Sequence, residues 1–294
     1  MIYRVVHATT YRYEGPVSQC QSEVRLTPRR LPWQTVLSST IETTPVPAWI
    51  GERTDYFGNI VNRFGILERH DRFVTVATSE VRLAPRPPVD DGAAPWAPWE
   101  DARHTIATRA TAEALQAAEY SFDSPYVTVT PELEQFARPS FDAGRPLIDA
   151  VADLSRRIHA EFIYAPATTK IDTPLLETLF SKRGVCQDFS HVMIGALRSL
   201  GLAARYVSGY LRSGADTVGA EASHAWVGVY VPGAGWVDFD PTNDVRPDVG
   251  HVTIGWGRDY GDVTPIKGVA LGGGCHDVSV EVSMVPVPSE ERDG

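Results

Sequence analysis

The chain has 294 residues, 43% of them hydrophobic and 22% charged, which suits a folded protein of about two domains with a sizeable core. A net charge of −10 argues against nucleic acid and against an anionic membrane surface as partners. No apolar run reaches the roughly 18 residues of a spanning helix, no secretory leader is expected from the opening residues, and three scattered cysteines argue against a disulfide framework or a cysteine-rich zinc site.

Residues 1 to about 85 alternate in polarity. Tyr3, Val5 and His7 fall on one face of a strand, and Arg4, Val6 and Ala8 on the other. Similar stretches follow at Glu23 to Thr27, Val36 to Ile41, Gly58 to Phe64 and Arg72 to Leu83, with turns expected at Glu14-Gly15-Pro16, Pro45-Val46-Pro47 and Asp55 to Gly58. This texture predicts an antiparallel sheet or sandwich. Pro85, Pro87, Pro88, Pro95 and Pro98 then mark a linker or irregular crossover. The expected division is a β-rich unit over 1–88 and a second unit over 89–294, with its core at about 145–245.

From about residue 103 the pattern is helical. Residues 103–119 are rich in alanine, and Thr130-Pro131 reads as an N-cap with proline at the first helical position. Leu147, Val151, Leu154 and Ile158 predict an amphipathic helix over about 145–161. Thr173-Pro174 opens a helix to about Lys182, and Gly184 breaks it. A further helix runs from about Cys186 to Leu200, with Phe189, Met193, Ala196, Leu197 and Leu200 as its apolar stripe and Gly201 just beyond its end. Strands are expected at Ala204 to Leu211, Ser223 to Val231, Gly235 to Asp240 and Asp277 to Val285.

Chemistry concentrates on Cys186, at the start of its helix. The unpaired N–H groups there favour an anion, and the thiolate is the nucleophilic form of cysteine. A thiolate needs a base, and the base needs an orienting group. His224, Trp226, Gly228 and Tyr230 share one face of a strand; Pro232-Gly233-Ala234-Gly235 turns the chain; Trp236, Asp238 and Asp240 share one face of the next. With Tyr230 opposite Trp236, Asp240 becomes the diagonal neighbour of His224, within side-chain reach. Asp238 pairs nearer Gly228 and lies farther from the imidazole. His191 points about 140° away from Cys186 around the helix and is expected to meet Asp188. Cys275-His276-Asp277 cannot form a catalytic line, because adjacent strand residues point to opposite faces. Asp238-x-Asp240-x-Thr242 lacks the glycine and glutamate of a calcium loop, and Gly272-Gly273-Gly274 lacks the lysine of a phosphate loop.

The runs Gly-Val-Cys-Gln-Asp-Phe-Ser-His, Ser-His-Ala-Trp-Val and Gly-Trp-Val-Asp-Phe-Asp-Pro-Thr-Asn resemble the signature blocks of the transglutaminase-like superfamily, relatives of papain-like thiol enzymes, in the order Cys, His, Asp. The first 85 residues resemble the N-terminal region of bacterial members, and residues 257–265 look like their C-terminal block. The resemblance implies an α+β protein: a β-rich N-terminal domain and a papain-like catalytic domain with its cysteine at a helix N-terminus against an antiparallel sheet. It also implies Cys186 as nucleophile, His224 as base and Asp240 as orienter. The expected activity is acyl transfer at an amide through a thioester. Hydrolysis by a peptidase or amidase is favoured over cross-linking of protein glutamine to amines, because neither extra sandwich domains nor a calcium loop is evident. A non-catalytic binding module on the same scaffold is the alternative of another class. Tyr164 is a candidate oxyanion donor, and Trp226 and Trp236 are candidate walls of the substrate groove. The expected partner is a peptide or amide substrate, with no cofactor, metal, nucleic acid or membrane, in the cytoplasm.

Overall fold

The computed structural model describes residues 1–89, 97–166, 168–214, 217–220 and 222–288. It opens with five strands: β1 (Ile2–Val24), β2 (Gln34–Thr44), β3 (Trp49–Thr54), β4 (Ile60–Ile66) and β5 (His70–Leu83). The turn expected at Glu14-Gly15-Pro16 is instead an irregularity inside β1, whose register against β5 shifts between Arg12 and Val17. Proline offers no N–H to a ladder, so a bulge lets a long strand pass it without a reversal. Pro85, Pro87 and Pro88 lie in irregular chain; residues 90–96 of the expected linker lie outside the described residues.

The helical part comprises α1 (Trp99–Thr108), α2 (Ala112–Ala117), α3 (Pro131–Ala137) and α4 (Leu147–Glu161). Next come the two-residue strand β6 (Ile163–Tyr164), α5 (Leu175–Ser181), the two-residue strand β7 (Arg183–Gly184) and α6 (Cys186–Ser199). Thr130 flanks α3 as expected. At α5 the cap shifts by one: Pro174 is the flanking residue, and Lys182 ends the helix in the left-handed region at φ 52°. Gly201, at φ 76°, follows α6. The last strands are β8 (Ala204–Leu211), β9 (His224–Val231), β10 (Gly235–Phe239), β11 (His251–Gly257), β12 (Ile266–Gly272) and β13 (His276–Pro286). Among the described residues no helix is long and apolar enough to cross a membrane.

Two sheets organise the molecule. β10-β9-β8-β11 form an antiparallel sheet. Its residues Ala225, Val227, Val229, Val231, Val237 and Phe239 pack with Leu147, Val151, Leu154 and Ile158 of α4 and with Phe189, Met193 and Leu197 of α6. Tyr210, Val252 and Ile254 join Tyr3, Val5, Val81, Leu83 and Met284 instead. The four-stranded sheet therefore contributes to three apolar clusters: one with α4 and α6, one with the N-terminal sheet, and one, through Tyr230, with Ile106 of α1 and Ala114 and Ala117 of α2.

That N-terminal sheet runs β2-β5-β1-β4-β3. β12 and β13 also pair with β1, through residues 17–24 and 3–13 respectively. The second unit expected over 89–294 thus sends its last two strands back to the first. β11 and β12 carry no separate expectation in the sequence; their alternation is weak beside glycines, and their partners are remote in the chain.

Candidate active site

The β6–β7 ladder brings Tyr164 beside Gly184, two residues before Cys186. Ala165 N–H donates to Gly184 O at 2.8 Å and extends this contact. Val185 is the N-cap of α6 and Cys186 its first residue. The cap is made by Asp188, whose Oδ2 accepts from Val185 N–H at 2.8 Å and from Thr169 Oγ1 at 2.7 Å. Burial pushes the Asp188 carboxyl up, and the Val185 and Thr169 donors oppose that shift. A Cβ on Gly184 would lie 2.6 Å from Asp188 Oδ2 and 2.7 Å from Asp188 Cβ. Gly184 therefore serves the close approach that closes the cap. His191 does not meet Asp188 as expected. Its Nε2 accepts from Tyr260 N–H at 3.2 Å, and its ring stacks on Tyr126.

β10 pairs with β9 in the register that sets Trp236 opposite Tyr230 and Asp238 opposite Gly228. Asp240 then follows directly, in an isolated bridge to Val245. His224 Nε2–H donates to Asp240 Oδ2 at 2.8 Å, with both side chains wholly buried. Among the described residues Nδ1 of His224 has no other hydrogen-bond partner and is the nitrogen left for Cys186, with which His224 interacts. Cys186 Sγ lies 3.9 Å from Ser223 O, and the residue is 8% exposed.

Burial alone favours neutral His224, but the Asp240 carboxylate outweighs it, and with Cys186 raises the imidazole to about 10. Burial likewise opposes a charge on Asp240. His224 and His251 override it and hold the carboxyl well below the usual carboxylate range. Further donors serve the same group: Thr242 N–H and Asn243 N–H reach Oδ1 at 2.9 and 3.3 Å, and Asn243 Nδ2 reaches Oδ2 at 2.9 Å.

Sequence reasoning missed two of these residues. Asn243 sits in the turn that Asp240 itself caps, and the Asp-Pro-Thr-Asn run is its local signal. His251 enters from β11, with Nε2 3.4 Å from Asp240 Oδ2 and its ring edge-on to Trp226 at 5.3 Å. Only the non-local pairing of β11 with β8 brings it there. Burial lowers His251, as do His224 and Arg86, while Asp240 opposes them. Among the described residues, His224, Asp240 and His251 are the group whose ligand atoms lie close enough to share a metal, all within 4.8 Å of one another. An ion there would displace the hydrogen bond between His224 and Asp240.

The remaining expected site residues separate. Tyr164 adjoins the reacting atoms: the point where a Gly219 Cβ would stand is 3.0 Å from His224 Nδ1 and 3.4 Å from Tyr164 OH. Trp226 is not a groove wall. It is fully buried, tilted against His224 at 6.1 Å, and its Nε1–H donates to Asp238 Oδ2 at 3.0 Å. Asp238 also pairs with Arg86 Nη1 at 2.6 Å, so its role is an ion pair behind the site. Trp236 lies six residues along the hairpin from His224, roughly 20 Å away at strand spacing. It packs on Tyr120 and Arg205, and lines a separate cleft with Trp33 and Arg246.

Comparison with known proteins agrees with this architecture. A protein of Mycobacterium tuberculosis described as uncharacterized is 36% identical over 298 residues, covering 98% of this chain and 93% of its own. The Pseudomonas aeruginosa protein-glutamine gamma-glutamyltransferase is 30% identical over 129 residues, 36% of this chain and 19% of that one. The crystal structure of a candidate cysteine protease from Cytophaga hutchinsonii superposes with a TM-score of 0.77 at 21% identity, covering 99% of this chain and 92% of that one. Residues 3–82 match the family described as the bacterial transglutaminase-like N-terminal region, and residues 134–241 match the transglutaminase-like superfamily. This chain therefore belongs to the transglutaminase-like superfamily, with the bacterial transglutaminase-like N-terminal region ahead of its core.

Proposed function

We propose that the protein is a thiol hydrolase of amide bonds, acting through Cys186, His224 and Asp240. The observation that carries this reading is the direction of His224. One imidazole nitrogen is committed to a buried carboxylate, and the other is left for the thiol at the head of α6. Cys186 Sγ attacks the carbonyl carbon, and the oxyanion forms near the Cys186 backbone N–H and the Tyr164 hydroxyl. His224 Nδ1–H protonates the departing amine as the C–N bond breaks, leaving a thioester. Water then attacks the thioester carbon and gives its proton to His224. The C–S bond breaks, the acid product leaves, and the thiol is restored.

Asp240 fixes the imidazole orientation and stabilises its charged form without taking the proton. A primary amine in place of water would yield transamidation from the same thioester. Similarity to the Pseudomonas aeruginosa transferase supports that second outcome. A non-catalytic module would leave the thiol inert, and the limited exposure of Cys186 makes this a real contrast.

The test is incubation with a panel of peptide amides, with and without a primary amine, followed by mass analysis of products. Release of acid product, lost in Cys186→Ala, supports hydrolysis. Products that contain the amine at the acyl group make the protein a transferase. A Cys186 that forms no acyl adduct with any amide or activated ester overturns the catalytic reading.

A further inference from the structure

Residues 217–220 and 222–223 lead into β9 beside the reacting atoms. Val218 is held there by one side chain. Asn243 Oδ1 accepts from Val218 N–H at 2.9 Å, and Asn243 Nδ2 donates to Val218 O at 3.2 Å. The same Nδ2 donates to Asp240 Oδ2 at 2.9 Å. A primary amide thus pairs with both backbone groups of one residue, as a neighbouring strand would along one edge, and also with the carboxylate that orients His224.

The next residue, Gly219, has φ +85°, and its missing side chain would project to 3.0 Å from His224 Nδ1 and 3.4 Å from Tyr164 OH. That space lies where a substrate carbonyl and leaving amine must sit if Nδ1 transfers the proton. Cys186 is only 8% exposed, so we expect the placement of this wall beside His224 Nδ1 to affect what reaches Sγ.

We propose that Asn243 is a positioning residue that ties residues 218–219 to Asp240 and so fixes the wall of the reaction space against His224 Nδ1. The inference rests on the catalytic reading above for its purpose, and on hydrogen-bond geometry for its substance. Asparagine suits the position because it carries a donor and an acceptor on one planar group. Aspartate has the same shape but cannot donate to Val218 O or to Asp240. Gly219 keeps the enclosed space open, since even a methyl group would fill it.

The experiment compares wild type, Asn243→Asp, Asn243→Ala, Gly219→Ala and the Asn243→Ala/Gly219→Ala double variant. Cys186 is alkylated with iodoacetamide and, separately, with a bulky maleimide. The ratio of the two rates cancels the intrinsic reactivity of the thiol and reports the shape of the opening. Release of the wall raises the bulky-to-small ratio at least fivefold in Asn243→Asp and Asn243→Ala. Gly219→Ala lowers it, and the double variant recovers most of that loss.

Hydrogen exchange at Val218 N–H accelerates at least tenfold in Asn243→Asp, while exchange in the middle of β9 stays slow. A folded Asn243→Asp protein with an unchanged ratio and unchanged Val218 exchange overturns the proposal. The exchange measurement also stands if Gly219→Ala fails to fold. Neither readout needs turnover, so a wild-type protein inert toward amides would sink the catalytic reading and leave this one to be judged separately.

Discussion

Asp240 is one carboxylate serving two imidazoles, one side-chain amide and two backbone N–H groups, whereas Asp238, two residues earlier, serves Arg86 and Trp226. Their substitutions should therefore separate. Asp240→Asn should reduce turnover by about 10²–10³-fold, less than the roughly 10⁴-fold of the serine triad, because a thiol is intrinsically a readier nucleophile than a hydroxyl and depends less on its base. Asp238→Asn should cost little turnover but about 3 kcal/mol of stability, since it leaves buried guanidinium charge uncompensated. Steady-state rates and denaturant melts of both variants check this. A larger rate loss for Asp238→Asn would reassign the orienter.

The pair of Asp240 with His224 was legible because a three-residue turn, 232–234, fixes the register of the hairpin. His251 was not. Its position depends on β11 lying beside β8, a contact that no local pattern encodes. The groove assignments of Trp226 and Trp236 rested on residue type, and tryptophan suits a buried layer equally well.

At the scale of elements, the nucleophile is placed by a short ladder and a cap. Tyr164 pairs beside Gly184, Asp188 caps Val185, and Cys186 follows. Gly184→Ala should force Asp188 away from Val185 N–H and tilt the first turn of α6. The expected cost is about 1–3 kcal/mol, as for overpacking elsewhere, together with slower alkylation of Cys186 by iodoacetamide. Gly250→Ala is the control, because its added methyl meets nothing within 4 Å. Thermal melting and peptide mapping give both numbers. Equal behaviour of the two variants would show that the cap does not position Cys186. The helix itself was legible from the Gly184 break and the apolar stripe. A two-residue strand such as β6 carries no periodicity, so the partner of Tyr164 could not be read from sequence.

Across the whole molecule, buried histidines set the acid limit. His7 bridges the two sheets, with Nδ1 2.9 Å from Tyr210 Oη and Nε2 3.1 Å from Thr9 Oγ1. Burial lowers it from 6.5 to about 4, and burial also lowers His191 and His251. The unfolded chain binds these protons first, so stability falls as pH drops below 6.5 and, for His7, levels off below about 4. Each fully differing site contributes up to about 1.4 kcal/mol per pH unit. His224 has the opposite sign: its stabilisation is complete below 6.5 and is lost as pH rises towards about 10. Calorimetry from pH 4 to 8 should show a falling Tm on the acid side, with a shallower slope in His7→Gln. A Tm independent of pH over that range would refute the assignment.

Removing everything after Pro265 should abolish cooperative melting, because β1 would lose its partners at residues 3–13 and 17–24. β2, β4 and β5 were legible from sequence, but β3 was not, and the strand expected from Glu23 to Thr27 is only the end of β1 and irregular chain beyond it; nor does the pattern of β13 say which edge it completes. That pairing has a consequence for synthesis. β13 is made about 250 residues after β1, and at about 5–20 residues per second the interval between them is on the order of ten seconds to a minute. Throughout it, β1 presents an unpaired edge of the kind that recruits other chains. A ribosome that stalls before residue 276 releases a template for aggregation, so the yield of folded protein depends on how quickly translation delivers β13.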